Sequence, residues 1–334
     1  MEQTASKTDD ILEVKELRVW FPIRKGILNR VVAHVRAVDG VSFALKRGET
    51  LGLVGESGCG KTTLGRAILG LEGVRSGEVY FEGEEFTHVK ESVRRQLRRR
   101  CQMIFQDPYA SLNPRKTVLE LVTEGLVFHK LLGEESVEQA GRRLLKDVGL
   151  GEDCLYRYPH EFSGGQRQRI SIARAISLHP SLVVCDEPVS ALDVSVQAQV
   201  INLLMDLRDK YSLSYVFISH DLSVVRIISQ KVAVMYLGHL VEIGSVEDVM
   251  DHPLHPYTQA LILAAPVPGR ERSQRVILKG EMPSPANPPS GCPFHPRCPR
   301  ACPECAQKRP ELKAVKDGHA VACDRCLRMS EDDS

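Results

Sequence analysis

Apolar and polar residues alternate in short runs along most of this chain, and longer amphipathic stretches lie between them. Such short runs are typical of β-strands when glycine, proline or charged residues bound them. The pattern predicts strands at Ile11–Val19, Val38–Leu45, Thr50–Val54, Gly77–Gly83, Cys101–Phe105, Leu182–Cys185 and Tyr215–Ile218. It predicts helices at Leu64–Leu71, Val93–Arg100, Thr117–Val148 (broken at 133–138), Arg167–Ser177 and Val196–Tyr211. Because strands and helices alternate, we predict an α/β fold with a parallel or mixed sheet.

Two regions depart from this pattern. Trp20-Phe21-Pro22 is predicted to end the first strand, and a basic connector is predicted from Arg24 to Arg36. Beyond about Gly244 prolines follow one another closely. Such a composition favours an extended appendage over a second compact sheet.

Charge and hydropathy limit the function classes. The formal net charge is +1, which argues against a dedicated nucleic-acid-binding protein, so no nucleic-acid partner is expected. No apolar run approaches the roughly 20 residues that a membrane-spanning helix needs. The polar start of the chain is not typical of a signal peptide. We therefore expect a cytosolic protein that meets a membrane only through a partner.

A glycine-rich loop follows the third predicted strand and precedes the first predicted helix. Its residues are Gly55, Glu56, Ser57, Gly58, Cys59, Gly60, Lys61, Thr62 and Thr63. They fit the phosphate-loop pattern, in which two glycines frame the loop before lysine and serine or threonine. Backbone N–H groups of such a loop can surround phosphate oxygens, and the helix N-terminus favours negative charge. We expect Lys61 to reach the β- and γ-phosphates of a nucleotide and Thr62 to hold Mg²⁺.

Two carboxylates follow a continuous apolar strand further along the chain. Asp186 is expected to hold Mg²⁺, directly or through water, and Glu187 to orient and polarise an attacking water. Gln106, at the end of another strand, is a candidate sensor of Mg²⁺ and of that water. His220 is a candidate contact for the γ-phosphate. Each of these residues would be unremarkable alone, but downstream of a phosphate loop they predict phosphoryl transfer to water.

The order of these motifs resembles that of a known family. After the phosphate loop come Gln106, Ser163-Gly164-Gly165-Gln166, Asp186-Glu187, Ser190-Ala191-Leu192-Asp193 and His220. Over about Val14 to Glu247 the chain is similar to the ATPases of ABC transporters, in which such elements are the Q-loop, signature motif, Walker B, D-loop and H-loop. The resemblance implies a phosphate-loop NTPase core with an antiparallel β subdomain and a helical subdomain at about 107–178.

The resemblance also implies a dimer with shared nucleotides. In this family two ATP molecules lie between protomers, each contacted by the phosphate loop of one and the signature motif of the other. Ser163, Gly164, Gly165, Gln166 and Asp193 are the corresponding residues here. An aromatic residue of the family usually stacks on the adenine. Phe21 is favoured by its place after the first strand, with Trp20 or His34 as alternatives.

The tail and one loop narrow the resemblance to importers of dipeptides, oligopeptides and nickel. The matching segments are Asp107–Arg115, His255–Leu261, Gly280–Pro285, Gly291–Phe294 and Arg297-Cys298. The chain is most similar to the second ATPase subunit of dipeptide importers. This resemblance implies a heterodimer with a second homologous ATPase, two transmembrane permeases and an extracytoplasmic peptide-binding protein. It also implies a place on the cytoplasmic face of the inner membrane, as a peripheral protein.

We accordingly expect a nucleotide-binding domain at 1–247 and a C-terminal extension at 248–334. The main functional prediction is ATP hydrolysis that drives peptide import. Three alternatives remain open: import of nickel or another small solute, a soluble ABC ATPase without transport, and a metal-sensing tail.

Six of the ten cysteines crowd into the extension, and two metal sites fit them. By spacing alone, Cys302, Cys305, Cys323 and Cys326 fit a four-thiolate zinc site. By the family resemblance, Cys292, Cys298, Cys305 and Cys323 match the ligands of a [4Fe–4S] cluster. We favour the iron–sulfur cluster, because the resemblance includes the residues around each cysteine. In either case we expect a bound metal to cross-link and stabilise a segment that has no sizeable hydrophobic core.

Overall fold

The computed structural model describes residues 9–264 and 280–327, which form two β-sheets with helices around them. The strands are β1 Asp10–Lys25, β2 Arg30–Lys46, β3 Thr50–Val54, β4 Ser76–Phe81, β5 Glu84–Glu85, β6 Cys101–Ile104, β7 Leu182–Asp186, β8 Ser214–Ile218, β9 Lys231–Tyr236, β10 His239–Ser245, β11 Lys313–Lys316 and β12 His319–Val321. The α-helices are α1 Lys61–Ile68, α2 Glu91–Arg100, α3 Pro108–Ser111, α4 Val118–Phe128, α5 Val137–Asp147, α6 Gly164–Ile176, α7 Val194–Tyr211, α8 Leu222–Ile228, α9 Val246–Asp251 and α10 Pro256–Ala264. Single 3-10 turns lie at Glu152–Cys154, Pro159–Glu161, His295–Arg297 and Pro303–Ala306. Within these two described stretches, no helix is both long and apolar enough to cross a bilayer.

The larger sheet has eight strands in the order β11-β12-β10-β9-β3-β8-β7-β6. Its five strands from β9 to β6 run parallel, and β10, β12 and β11 extend the sheet with antiparallel pairs. β3, β7 and β8 are buried along their whole length, as expected for parallel strands covered on both faces. The predicted mixed α/β sheet is therefore confirmed.

The smaller sheet is antiparallel, with the order β2-β1-β4-β5, and corrects one prediction. Trp20-Phe21-Pro22 does not end the first strand, because β1 continues to Lys25 and pairs with β2 throughout. Proline is tolerated there because the pairing of β1 with β4 stops at Arg18, so Pro22 lies where one side of the strand is unpaired in this sheet. The predicted connector from Arg24 to Arg36 is also wrong, because that range contains the end of β1, a turn at 26–29 and the start of β2, which form a long hairpin.

Helices α3 to α6 form a layer beside the parallel strands, within the range predicted for a helical subdomain. The predicted break in the long helical stretch is confirmed, since α4 and α5 are separate helices. Each begins with a reciprocal capping box, Thr117 with Glu120 and Ser136 with Gln139. The apolar faces of α4, α5 and α6 meet in one core that continues onto β7 and β8.

The C-terminal extension is more integrated than the proline-rich sequence predicts. β12 pairs with β10 of the main sheet, so the tail adds two strands to that sheet and is not only an extended appendage. The fully buried Glu242 of β10 accepts hydrogen bonds from the backbone N–H groups of Leu254 and His255 and from Nε2 of His319. Phe294 is buried against Tyr236 and Tyr257, with ring centroids 5.3 and 5.4 Å away. These non-local contacts supply the core that the local sequence lacks.

Buried histidine makes the stability of this region depend on pH. His255 is 2% exposed, and its Nδ1 accepts a hydrogen bond from the Tyr257 backbone N–H at 3.1 Å. Burial lowers the pKa of His255 to about 4, although the nearby Glu242 works in the opposite direction. The unfolded chain therefore takes up a proton before the native chain as the pH falls below the ordinary histidine value. We expect the free energy of unfolding to fall by about 2 kcal/mol between pH 7 and pH 5 from this residue alone.

Urea unfolding at the two pH values measures that loss. The His255→Asn variant keeps an acceptor beside the Tyr257 N–H but has no imidazole to titrate. It should lose less stability on acidification than the wild type. An identical pH slope in both proteins would contradict the assignment to His255.

Candidate active site

The predicted catalytic residues all follow strands that end at the same edge of the main sheet. β3 leads into the glycine-rich loop, β6 into Gln106, β7 into Asp186 and Glu187, and β8 into His220. Because β3, β8, β7 and β6 are adjacent and parallel, their carboxyl ends meet at one edge. Open parallel sheets bind ligands at such an edge.

The glycine-rich loop has a conformation that only glycine allows at two positions. Gly55 has φ 149°, and a Cβ there would lie 2.2 Å from the Met235 carbonyl oxygen. Gly60 has φ 110°, and its Cβ would lie 2.0 Å from the Ala37 carbonyl oxygen. Any side chain at either position would displace backbone. The loop therefore has a defined shape set by its packing on β9 and β2.

Lys61 lies beneath the loop and is 5% exposed. Its Nζ donates to the carbonyl oxygens of Gly55 at 2.7 Å and Glu56 at 3.0 Å. These bonds hold the ammonium group at the loop, where it would be available to phosphate oxygens. Its Nζ also lies 3.8 Å from Sγ of Cys59, so these three contacts bring no carboxylate to the buried positive charge, which favours an anionic ligand.

Thr62 and Asp186 are brought into direct contact although 124 positions separate them. The Thr62 hydroxyl donates to Oδ1 of Asp186 at 2.9 Å. Asp186 is 1% exposed, and burial raises the pKa of its carboxyl group while the Thr62 hydrogen bond opposes the shift. A cation bound to these two oxygens would favour the ionised carboxylate.

Gln106 and His220 both approach the same carboxylate oxygen of Glu187. Nε2 of Gln106 donates to Oε2 of Glu187 at 3.0 Å, and Nδ1 of His220 lies 3.4 Å from the same oxygen. Glu187 has φ 45°, a left-handed backbone that is uncommon outside glycine, and its N–H donates to the Ile218 carbonyl at 3.0 Å. Backbone of this kind is retained where the surroundings impose it, often at functional sites.

The residues at this edge fit a nucleotide with Mg²⁺. A glycine-rich loop precedes α1, a buried ammonium group lies beneath it, and a hydroxyl and a carboxylate meet at 2.9 Å. Magnesium prefers a few protein oxygens supplemented by phosphate and water, and this donor set matches that preference.

The signature segment Ser163–Gln166 starts helix α6. Ser163 is the N-cap: its hydroxyl accepts from the Gln166 N–H, and the Gln166 side chain accepts from the Ser163 N–H. A Cβ on Gly165 would lie 2.5 Å from Cγ1 of Val196, so this glycine also allows close packing of α6 on α7. Ser163 and Gly164 are exposed, as is Asp193 at the start of α7. An exposed helix N-terminus with small residues can accept an anion from another molecule.

The three aromatic candidates occupy different environments. Trp20 lies between two guanidinium groups, with Arg36 at 4.7 Å and Arg75 at 4.3 Å from its ring, and its ring is 5.9 Å from that of His34. Its Nε1 donates to Asp39 at 3.3 Å. Phe21 is 38% exposed and points to the opposite face of β1. Phe21 is thus exposed, whereas Trp20 is half-buried and already in contact with charged groups.

The metal prediction for the extension is wrong. Within residues 9–264 and 280–327, no group of three or more His, Cys, Asp or Glu side chains is placed to hold a metal ion. This finding overturns the [4Fe–4S] cluster expected on Cys292, Cys298, Cys305 and Cys323, and it equally excludes from those residues the zinc site expected on Cys302, Cys305, Cys323 and Cys326.

The cysteines of the extension make contacts other than the expected metal coordination. Sγ of Cys302 lies 3.3 Å from Sγ of Cys305, and Cys326 donates to the Leu254 carbonyl. Burial raises the pKa of Cys292 to about 11, which favours the neutral thiol. A metal was expected because the sequence alone does not indicate that Phe294 is buried or that β12 pairs with β10, and these contacts stabilise the extension.

Sequence reasoning also missed residues of the extension that reach the phosphate loop. The Glu56 N–H donates to the hydroxyl of Tyr257, and the Glu56 carboxylate pairs with Arg297. Both partners lie in tail segments that resemble the importer family, His255–Leu261 and Arg297-Cys298. No local pattern indicated that those segments fold back onto the loop.

Comparisons with known proteins agree with this geometry. Residues 38–190 match the ABC transporter family, and residues 241–305 match the family described as the oligopeptide/dipeptide transporter C-terminal region. The oligopeptide transport ATP-binding protein AppF of Bacillus subtilis is 52% identical, over 96% of this chain and 98% of that protein. The dipeptide transport ATP-binding protein DppF of Haemophilus influenzae is 47% identical, over 97% and 99%.

Solved structures match the same core. The protein cbiO1 from Clostridium perfringens, part of the ABC transporter complex cbiONQ, has a TM-score of 0.63 and 26% identity over 73% of this chain and 92% of that chain. A dimeric ATP-binding cassette, MJ0796, in a post-hydrolysis state with ADP and Pi has a TM-score of 0.63 and 26% identity, over 70% and 98%. The chain therefore belongs to the ABC-transporter ATPases, in the family of ATP-binding subunits of dipeptide and oligopeptide importers.

Proposed function

We propose that this chain hydrolyses ATP to power the import of dipeptides or oligopeptides through a membrane ABC transporter. The observation that carries the proposal is the convergence of Gln106 and His220 on the Glu187 carboxylate, beside a buried phosphate-loop lysine. The near full-length similarity to transport ATP-binding proteins supports the peptide cargo.

The chain's own residues have distinct roles in binding. The loop from Gly55 to Thr63 surrounds the phosphates with backbone N–H groups, and Lys61 contacts the β- and γ-phosphates. Thr62, Gln106 and Asp186 would hold Mg²⁺, which supplies charge neutralisation on the phosphate oxygens when bound. The short Thr62–Asp186 contact supports this pairing of ligands.

Glu187 is the residue that accepts a proton from the attacking water. Its carboxylate is oriented by the Gln106 amide and the His220 ring, since both approach the same oxygen. The second oxygen then remains for the water. His220 is exposed, so it can also reach a γ-phosphate bound at the loop.

A second, homologous ATPase subunit completes each nucleotide site. Ser163, Gly164, Gln166 and Asp193 are exposed and Gly165 is half-buried between them, so this segment can contact a nucleotide bound to the partner's loop. Phe21 stacks on the adenine of this chain's own nucleotide. The partner is a second homologous ATPase subunit, which makes the unit a heterodimer.

The assembly includes two permeases and an extracytoplasmic peptide-binding protein, with this chain on the cytoplasmic face of the membrane. The nucleotide-binding domain comprises residues 1–247, with its helical subdomain at about 107–178. Residues 248–334 form the C-terminal extension.

Uptake assays in a strain that lacks this chain test the proposal. The wild-type chain should restore uptake of labelled dipeptide or oligopeptide, and the Glu187→Gln variant should not. Restoration of nickel uptake with no effect on either peptide would overturn the peptide cargo but keep the transporter. Uptake that is independent of this chain for all three solutes would overturn the transport role.

A further inference from the structure

The C-terminal extension touches the phosphate loop at three points. The Glu56 backbone N–H donates to the Tyr257 hydroxyl at 2.8 Å. The two terminal nitrogens of Arg297 donate to the two carboxylate oxygens of Glu56 at 2.6 and 3.0 Å. Met282 lies over the loop, with its Cε 3.6 Å from where a Cβ on Gly58 would be. None of these three side chains belongs to the ABC core segment at 38–190.

These contacts are built into a buried setting. The Arg297 side chain is 5% exposed, and its guanidinium carbon lies 5.9 Å from the centre of the Tyr236 ring. Tyr257 is fully buried, with its ring centroid 4.7 Å from that of Tyr236. Phe294 anchors the 3-10 turn that carries Arg297. A two-pronged ion pair held by packed aromatic rings fixes the position and the angle of Glu56.

Glu56 occupies a critical place in the loop. Its carbonyl oxygen accepts from Nζ of Lys61 at 3.0 Å, so its backbone touches both the extension and the phosphate-binding lysine. Gly55 and Gly60 pack on the core, but at Gly58, which has φ 81°, the neighbour within 4 Å of a Cβ position is Cε of Met282, so among the described residues this part of the loop relies on the extension for restraint. A restraint at Glu56 reduces the entropy lost when a phosphate is bound.

We propose that Arg297 and Tyr257 are positioning residues that hold the phosphate loop in its ATP-binding shape through Glu56. They contact Glu56 of the loop, so the extension sets ATP affinity indirectly, through the conformation of the loop. This inference rests on the proposed function of the Gly55–Thr63 loop. The competing interpretation is that the Arg297–Glu56 pair only fastens the extension to the core.

The test is the ATP affinity of the full chain with Arg297→Gln. We expect the dissociation constant for a non-hydrolysable ATP analogue, measured by calorimetry, to rise about tenfold. In steady-state hydrolysis the KM for ATP should rise while kcat at saturating ATP changes little. Arg297→Lys keeps the positive charge but cannot donate to both carboxylate oxygens of Glu56 in the same way, and it should recover part of the affinity. The matched control Arg300→Gln, at an exposed arginine three residues along, should bind ATP like the wild type.

A double-mutant cycle distinguishes a role of Arg297 in positioning the phosphate loop from a role in attaching the extension to the core. If Arg297 acts through Glu56, adding Arg297→Gln to Glu56→Gln should weaken ATP binding much less than it does in the wild type. A lower melting temperature with unchanged ATP affinity in Arg297→Gln would overturn the proposal. Should Arg297→Gln fail to fold, Tyr257→Phe removes only the hydroxyl that accepts the Glu56 N–H. It should weaken ATP binding about threefold, and unchanged affinity there would equally overturn the proposal.

The Lys61→Ala variant, measured in parallel, distinguishes failure of the proposed nucleotide-binding loop from failure of the proposed positioning role of Arg297 and Tyr257. If it binds ATP normally, the assignment of the loop itself fails. If it loses affinity while Arg297→Gln and Tyr257→Phe do not, only the positioning role fails.

Discussion

Replacing Glu187 by glutamine should reduce the rate of ATP hydrolysis by about a thousandfold while ATP still binds. Glutamine has the size of glutamate and can keep a contact with Gln106, but its amide cannot accept a proton from water. The phosphate loop and the Thr62–Asp186 contact are not altered by the exchange. Phosphate release at saturating ATP measures the rate, and calorimetry with ATP measures the binding.

The matched control is the same exchange at an exposed glutamate of the loop between α4 and α5. Glu134→Gln should hydrolyse ATP at the wild-type rate. Turnover by Glu187→Gln at that same rate would show that another group accepts the proton. Loss of ATP binding in Glu187→Gln would instead show that the exchange disturbs the site, and the rate could not then be assigned to proton transfer.

Much of this site could be predicted because each of its parts leaves a local signal. The loop has its own residue pattern, and Asp186 follows a strand whose continuous apolar run is itself a signal. Parallel strands send their carboxyl ends to one edge, so residues that follow β6, β7 and β8 had to meet there. The contact of Gln106 and His220 with one oxygen of Glu187 is the outcome of that topology.

The first strand shows a limit of local patterns. Pro22 is normally a sign that a strand has ended, and that interpretation was wrong here. Whether proline is tolerated depends on which side of the strand is paired, and this is a property of the neighbouring strands. The end of pairing between β1 and β4 at Arg18 cannot be found in the sequence of β1.

The extension shows a second limit. Its segments carry recognisable residues, but their contacts join positions far apart in the chain: 241 positions separate Glu56 from Arg297, and 77 separate Glu242 from His319. Cysteine spacing suggested zinc and the family resemblance suggested an iron–sulfur cluster, and neither was informative about the direction in which each cysteine side chain points. Aromatic packing around Phe294 and the pairing of β12 stabilise the segment instead. The same contacts place a basic and a phenolic side chain against the nucleotide loop.

Replacing Lys61 by alanine should weaken ATP binding by about a hundredfold, because the variant loses a buried ammonium group aimed at the phosphates. The effect should be large for ATP and absent for AMP, which has neither a β- nor a γ-phosphate. Calorimetry with ATP and competition with AMP measure the two affinities. The variant also leaves the carbonyl oxygens of Gly55 and Glu56 without the donor they now have, so its melting temperature should be recorded alongside.

An exposed lysine provides the control for loss of charge alone. Lys46→Ala, at the end of β2, removes the same charge from the surface and should leave ATP affinity unchanged. Equal ATP affinity in Lys61→Ala and the wild type would contradict the phosphate contact. A loss that is as large for AMP as for ATP would show a collapsed loop rather than a missing charge. A loss seen with ATP and absent with AMP would place the ammonium group at the β- and γ-phosphates, where the buried position of Lys61 directs it.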